Sequence, residues 1–299
     1  MATRNILHMV TPLKHMSPFD VNMAVDAGYD AVVPYAQVTV EEVKPLVQDA
    51  IFSRSPDSGP RTGLFIAGKN AITALDMLSE ASEALVPPFV LSIFADPAGS
   101  FTTAAATVAC VGKLLKQKTG AGWAGRTVVV FGGTGVVAFS SAVLTAGEGA
   151  EVHLVGYDGD ARVKRMAVDA QARFGARING ADGSSEEKRR ALAHSADVVI
   201  SAGPAGVQVL TEAAISGASK LVVAADVNAV PPAGVAGVGV HDNGVPIPGT
   251  SAVGIGALAI GDVKYQTQAG LFRKMIVSDK TLTLDFRDAY DFAKELVGA

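Results

Sequence analysis

Residues Val128-Val129-Val130-Phe131 run without a break into Gly132-Gly133-Thr134-Gly135-Val136-Val137-Ala138. Read from Gly133, this is G-x-G-x-x-A, placed after an apolar run of strand length and before a segment of helical pattern. The chemistry it suits is anion binding. Small residues let main-chain amides close on a pyrophosphate, and a helix start adds its spare N–H groups and partial positive charge. Gly133 is expected to permit the tight turn, Gly135 to let the backbone approach the pyrophosphate, and Ala138 to allow close helix–strand packing. Thr134, Val136 and Val137 complete the loop.

The same pattern asks for an acid about 20 residues on, at the end of the next strand, to hold ribose hydroxyls. Asp158, which follows the apolar run at 151–155, fits that place. A carboxylate there favours NAD, because it repels an added 2′-phosphate. Arg162, Lys164 and Arg165 follow closely. They either answer a phosphate or make a solvated helix face, so use of both NAD and NADP stays open. Two more loops end apolar runs in the same region, Ser201-Ala202-Gly203 and Asp226-Val227-Asn228. Ligands of open α/β sheets sit at such strand ends. Gly203 is expected to let the backbone pass near a nicotinamide, while Asp226 and Asn228 read equally as cofactor contacts or turn formers.

Other chemistries find little support. His8, His15, His153, His194 and His241 show no metal-ligand spacing, so no metal is expected. There is no G-x-S-x-G for a nucleophilic hydrolase. Cys110 is the single cysteine, which excludes an intrachain disulfide framework and fits a reducing cytoplasm.

These residues need a scaffold, and the pattern around them supplies one. Apolar runs at 5–10, 30–34, 63–67 and 89–95, then at 127–131, 151–155, 197–201 and 221–225, alternate with helical patterns. That alternation predicts α/β units around mostly parallel sheets. Ser17-Pro18-Phe19-Asp20 reads as a helix start, with a cap, a proline at the first helical position and an acid behind it, and Thr39-Val40-Glu41-Glu42 repeats the grammar. A long helix is expected over 103–118. The glycine-rich stretch 119–125 reads as a junction before a second α/β series with helices near 136–148, 161–174 and 185–194. Helical regions at 252–274 and 285–297 close the chain.

The 299 residues suggest two domains. We place a substrate domain at 1–104, with 263–299 packing back on it, and a Rossmann-type dinucleotide-binding domain at 105–262. Hydrophobic residues make up 49% against 18% charged, and net charge is −4. This suits buried parallel strands and gives no basic footprint for nucleic acid. No targeting segment and no uninterrupted run of membrane-spanning length is read despite a mean hydropathy of +0.32.

At this level the chain resembles the methylotroph-type methylene-tetrahydromethanopterin dehydrogenases. The resemblance rests on Ser17-Pro18-Phe19-Asp20-Val21, Asp96-Pro97-Ala98-Gly99-Ser100-Phe101-Thr102-Thr103 and its alanine run to 106, and the loop at 132–137. Further matching stretches are 146–152, 201–203, 225–232 and 256–264. It covers nearly the whole chain in one order. It implies a substrate-binding α/β domain followed by a Rossmann domain, with a pterin between them. The implied reaction is hydride transfer from methylene-tetrahydromethanopterin to NAD or NADP in formaldehyde oxidation, carried out by a cytoplasmic homo-oligomer. NADP-restricted relatives carry basic residues where this chain has Tyr157-Asp158, so NAD is favoured. A pterin presents a ring N–H and an exocyclic amine side by side, which a carboxylate can accept together. Asp96 is the first candidate and Asp20 the second, Asp20 reading also as a capping-box acid. Ser100, Thr102 and Thr103 are substrate-binding candidates, or helix caps in the case of the threonines. Lys264 is the catalytic candidate, for positioning or polar contact with the pterin. The competing readings are a methylene-tetrahydrofolate dehydrogenase, a two-domain shikimate-type dehydrogenase, and a non-catalytic protein that senses NAD(P).

Overall fold

The computed structural model describes residues 4–299. The chain forms two compact units. The first runs to Thr102 and includes Tyr265–Phe292; the second is Thr103–Lys264 with Ala293–Ala299. In the first unit β1 (Ile6–Val10), α1 (Pro18–Ala27), β2 (Ala31–Tyr35), α2 (Val40–Phe52), β3 (Thr62–Ile66), α3 (Ala71–Glu83) and β4 (Ser92–Ala95) alternate. The helix α4 (Ser100–Thr119) then carries the chain into the second unit. There follow β5 (Thr127–Phe131), α5 (Val136–Gly147), β6 (Glu151–Gly156), α6 (Ala161–Phe174), β7 (Ile178–Asp182), α7 (Glu186–Ser195) and β8 (Val198–Ser201). After these come the short α8 (Glu212–Ile215), β9 (Val223–Asp226), β10 (Asn243–Pro246) and β11 (Val253–Ile255). Helix α9 (Ala257–Val277) leads back to the first unit and its β12 (Thr283–Leu284), and α10 (Phe286–Val297) closes the chain.

The first sheet has the order β12-β4-β3-β1-β2, with every pairing parallel. The second has the order β10-β11-β9-β8-β5-β6-β7, parallel except for the β10–β11 pair. From β7 to β11 this is the doubly wound Rossmann order, and chain direction across the sheet reverses between β5 and β8, the place where such sheets bind ligands. Strands β3, β8 and β9 are buried at every residue, as continuous apolar runs covered on both faces must be. Local signals set the helix starts. Thr39 and Glu42 form a reciprocal capping box, with the Thr39 amide donating to Glu42 Oε2 over 2.7 Å, and Asn70 and Ser185 cap α3 and α7 through their side chains.

The core of the first unit explains why residues after 264 belong to it. Phe272 of α9 packs against Phe65 and Phe94 with ring centroids 5.2 and 5.3 Å apart, and Phe286 meets Phe101 at 5.1 Å. The division of the chain differs from the sequence reading in two places. The glycine-rich stretch 119–125 lies inside the second unit, because Trp123 folds back on α4: a Cβ on Gly112 would sit 2.9 Å from its indole nitrogen. Residues 293–299 also cluster with the second unit, where Lys294 pairs with Glu148 at 3.4 Å. Region 252–274 starts as a strand, β11, and turns helical only at Ala257. The helical stretch 97–119 is long and apolar enough to cross a membrane by composition, yet 72% of its most apolar window is buried inside the protein, the environment of a core helix.

Candidate active site

Strand β5 delivers the glycine loop at 132–135. Gly132 carries φ +98°, and a Cβ there would lie 2.1 Å from the Ala202 carbonyl oxygen. Gly132 therefore makes the tight turn that the sequence pattern assigns to Gly133. Gly133 serves packing instead, since a Cβ would meet Val163 of α6 at 2.2 Å and the Val155 carbonyl oxygen at 2.7 Å. Gly135 is different. Outside its own helix and immediate neighbours, a Cβ there would meet only the Gly132 carbonyl oxygen, at 3.1 Å. It is the N-cap of α5, and no side chain caps that helix. Open space beside a bare helix start is a cradle that a pyrophosphate fits and a larger side chain would fill. Thr134 is exposed at the loop tip, Val137 half-buried, and Val136 and Ala138 are buried against the sheet.

Beside the loop is a cavity of about 470 Å³, lined by Gly132, Tyr157, Gly183, Arg189, Gly203 and Val207 among others, a size suited to a nucleoside. The Arg189 guanidinium is held at its rim by the Val209 and Gly183 carbonyls at 2.9 and 3.0 Å. Asp158 follows the end of β6. Its Oδ2 accepts from Arg162 Nη1 at 3.1 Å, Arg162 Nη2 donates to the Thr134 hydroxyl at 2.8 Å, and the guanidinium lies 5.8 Å from the centre of the Tyr157 ring. Contact with Tyr157 and the charge of Asp158 raise the Arg162 pKa above its ordinary value. Lys164 is paired with Asp160 at 2.7 Å. Arg162 is thus part of the loop's surroundings rather than a plain solvated face.

The loops after β8 and β9 follow, and Ala202 and Gly203 abut this region. Ala202 and Gly203 lie beside the phosphate loop: the Ala202 carbonyl crowds Gly132, and a Cβ on Gly203 would be 2.7 Å from Val209. Ser201 is buried, its hydroxyl beside the Asp226 carboxylate. Asp226 Oδ2 accepts from the amides of Gly234 and Val235 at 2.6 and 3.2 Å, and its Oδ1 from that of Asn228 at 3.1 Å. Burial pushes the Asp226 carboxyl up, and these three amides pull against it without cancelling it. Asn228 accepts from the amides of Val230 and Gly206 and donates to the Pro232 carbonyl. Ser201, Asp226 and Asn228 thus hold the loop at 226–235. The polar atoms of Asp226 and Asn228 are spent on main chain, while the Ser201 hydroxyl faces the Asp226 carboxylate.

In the first unit the carboxylates are also committed. Asp96 is fully buried; its Oδ1 accepts from the amides of Phe101 and Thr102 at 2.9 and 3.2 Å, and its Oδ2 from the Thr102 hydroxyl at 2.7 Å. It caps α4 across the turn at 97–99, where Ala98 sits at φ 55°, so the carboxylate expected to meet a pterin meets a helix start. Thr102 is buried in that cap, whereas Ser100 and Thr103 are half-buried. Asp20 is 1% exposed and accepts from Gln268 Nε2 of α9 at 2.9 Å. Ser17 makes no side-chain cap, so Asp20 anchors α9 rather than closing a capping box. Lys264 is half-buried in α9, one turn before Gln268 and on the same helix face. Cys110 is buried, its thiol pushed up by burial to about 11, which makes it inert. Among the described residues no group of three His, Cys, Asp or Glu is placed to hold a metal. Sequence reasoning missed Gly132 and Arg189. The first was legible in its doubled glycine; the second had no motif to mark it, and one of its carbonyl partners, Val209, lies 20 residues on in another loop.

A Rossmann-ordered sheet with a phosphate loop at its reversal point, preceded by a second parallel α/β unit, defines a two-domain protein of the Rossmann-like dehydrogenase class. In fold it is similar to shikimate 5-dehydrogenase of Listeria monocytogenes, solved with shikimate and NAD (TM-score 0.54, 13% identity, 99% of this chain and 97% of that one). A family model described as methylene-tetrahydromethanopterin dehydrogenase, N-terminal, matches residues 18–98. The chain is 56% identical to the NAD(P)-dependent methylenetetrahydromethanopterin dehydrogenase of Methylorubrum extorquens over 295 residues, 99% of each chain. It is 33% identical to the bifunctional protein MdtA of the same organism over 94% of each. The chain belongs to the methylene-tetrahydromethanopterin dehydrogenase family.

Proposed function

We propose that this chain oxidises methylene-tetrahydromethanopterin to the methenyl form. The nicotinamide of NAD or NADP supplies the hydride acceptor, with NAD favoured by Asp158. The observation that carries the reading is 56% identity over essentially the full length of a relative named for that activity; the cradle at Gly135 and the cavity beside it agree with the cofactor. The second unit is the dinucleotide-binding domain on this reading and the first, where the family model matches, the substrate domain. We take the enzyme to work in the cytoplasm as an oligomer of identical chains, with neither nucleic acid nor membrane as partner.

Loss of hydride leaves a cation shared by the two nitrogens that flank the bridge carbon. No proton has to move at the reacting carbon, so the residues bind, orient and exclude water. The amides at Gly135, Val136 and Val137 would hold the pyrophosphate, and Asp158 would accept from the ribose hydroxyls. Ser100, Thr103 and Lys264 are half-buried and are our substrate contacts. Asp96 and Asp20 act behind them, one fixing the start of α4, the other holding Gln268 and through it the α9 face that carries Lys264. Lys264 positions the pterin.

The test is turnover by the purified full chain, with methylene-tetrahydromethanopterin and methylene-tetrahydrofolate in parallel cuvettes and NAD or NADP in each. Formation of reduced nicotinamide with the methanopterin carrier is expected. Turnover with the folate carrier alone, or cofactor binding without turnover, would overturn the proposal. Lys264→Met is expected to lower kcat/KM for the pterin by about tenfold or more, leaving NAD affinity within about threefold. Equal losses of pterin and NAD binding would contradict the assignment.

A further inference from the structure

We propose that Arg162 is the residue that admits a 2′-phosphate to the adenosine ribose site, and that with Asp158 it lets one site accept both NAD and NADP. The proposal rests on the cofactor reading above and names the group that sets its specificity.

The geometry brackets the ribose. Gly132 and Tyr157 both line the nucleoside-sized cavity, and Asp158, which follows Tyr157 past the end of β6, is joined through Arg162 to Thr134 of the loop. A carboxylate alone at this place repels a phosphate dianion. Here the carboxylate carries its own counter-charge, four residues on along the same segment. The Arg162 fork is steered from three sides: Asp158 takes Nη1, the Thr134 hydroxyl takes Nη2, and Tyr157 lies beneath the guanidinium. These contacts leave further N–H donors of the fork for an incoming anion. The Arg162 and Asp158 side chains are 43% and 41% exposed, so the pair is open to ligand and weak enough to re-form around one.

Two other nearby cations are differently engaged: Lys164 is on Asp160, and Arg189, which lines the cavity, is held by the Val209 and Gly183 carbonyls. Arg162 alone is tied to the phosphate loop itself, through Thr134 at the variable position of the glycine pattern. With NAD bound, Asp158 accepts from the 2′-hydroxyl while Arg162 stays paired with it. With NADP bound, the guanidinium turns its remaining donors to the 2′-phosphate and screens the carboxylate.

The experiment is calorimetric titration of the full chain with 5′-AMP and adenosine 2′,5′-bisphosphate, then with NAD and NADP. The variants are Arg162→Ala, Arg162→Lys and Asp158→Ala, each checked for an unchanged melting temperature. Arg162→Ala is expected to weaken the bisphosphate and NADP by about tenfold or more while shifting AMP and NAD by less than about threefold. Arg162→Lys, which keeps the charge and loses the fork, should fall between. Asp158→Ala should move the preference the opposite way, toward the 2′-phosphorylated ligands. Equal weakening of all four ligands by Arg162→Ala, or no change in any, would overturn the proposal. Failure of the unsubstituted chain to bind AMP or the bisphosphate would overturn the cofactor reading itself, a result distinct from a lost preference.

Discussion

Glycines separated by a residue or two do different work in the phosphate loop. Gly133 has no room for a methyl group, whereas Gly135 has room that a ligand is expected to use. Gly133→Ala should therefore destabilise the fold by about 1–3 kcal/mol through overpacking against Val163, read as a lower urea midpoint. Gly135→Ser keeps a good helix cap; it should leave that midpoint nearly unchanged and weaken dinucleotide binding. The reverse pattern would show that the loop is built for packing alone. Asp96 poses a similar question. As the cap of α4 it accepts from two amides and a hydroxyl, so Asp96→Ala should cost about 2–4 kcal/mol of unfolding free energy. A variant of full stability that has lost only substrate affinity would return Asp96 to the pterin. The sequence could name Asp96, Asp226 and Asn228 as polar groups at strand ends, but not say where their lone pairs go. That depends on amides between two and 22 residues away, brought to them by turns such as the one at Ala98.

At the scale of elements, the apolar β-strands were legible because buried parallel strands need continuous apolar runs. Strands β1, β3 to β6, β8 and β9 fall on such runs; β2 was read from an apolar run too, although it is an edge strand with no buried residue. Strands β7, β10 and β12 did not stand out: Ile178-Asn179-Gly180-Ala181-Asp182 is a half-exposed edge, β10 is another edge and β12 has two residues. Edge strands need bury little, so they leave little apolar signal. Contacts that tie elements together carry their own expectations. Gly270 of α9 sits where a Cβ would be 2.2 Å from the Phe292 ring of α10, and Gly270→Ala should lower stability by about 1–3 kcal/mol in thermal or urea unfolding. Asp197 ties the start of β5 to β8. Burial pushes its carboxyl up, but the Thr127 amide, Arg126 and Lys220 outweigh that and hold it below the usual carboxylate range. The native state therefore binds this proton less readily than the unfolded chain. Its stabilisation is present above about pH 4 and is lost as pH falls through the depressed native value. The stability gap between the wild type and Asp197→Asn, measured by urea unfolding, should narrow from neutral pH to about pH 3. A gap independent of pH would contradict the assignment.

For the whole molecule, the two α/β units and the Rossmann order follow from an alternating pattern read along the chain, while the exact division does not. The boundaries fall inside α4, α9 and α10, three helices with no break in sequence, because division depends on which side chains meet. Phe272 reaches Phe65 and Phe94 from nearly 200 residues away, and no local pattern records that. The family identity joins these units to one chemistry, transfer of a hydride from a carbon bridge to a nicotinamide. The most direct measurement follows the hydride itself. Methylene-tetrahydromethanopterin carrying two deuteriums on the bridge carbon is turned over with NAD by the purified chain, and the reduced cofactor is weighed by mass spectrometry. The account requires one deuterium in each reduced nicotinamide. Reduced cofactor free of deuterium, or none formed although NAD binds, would contradict it.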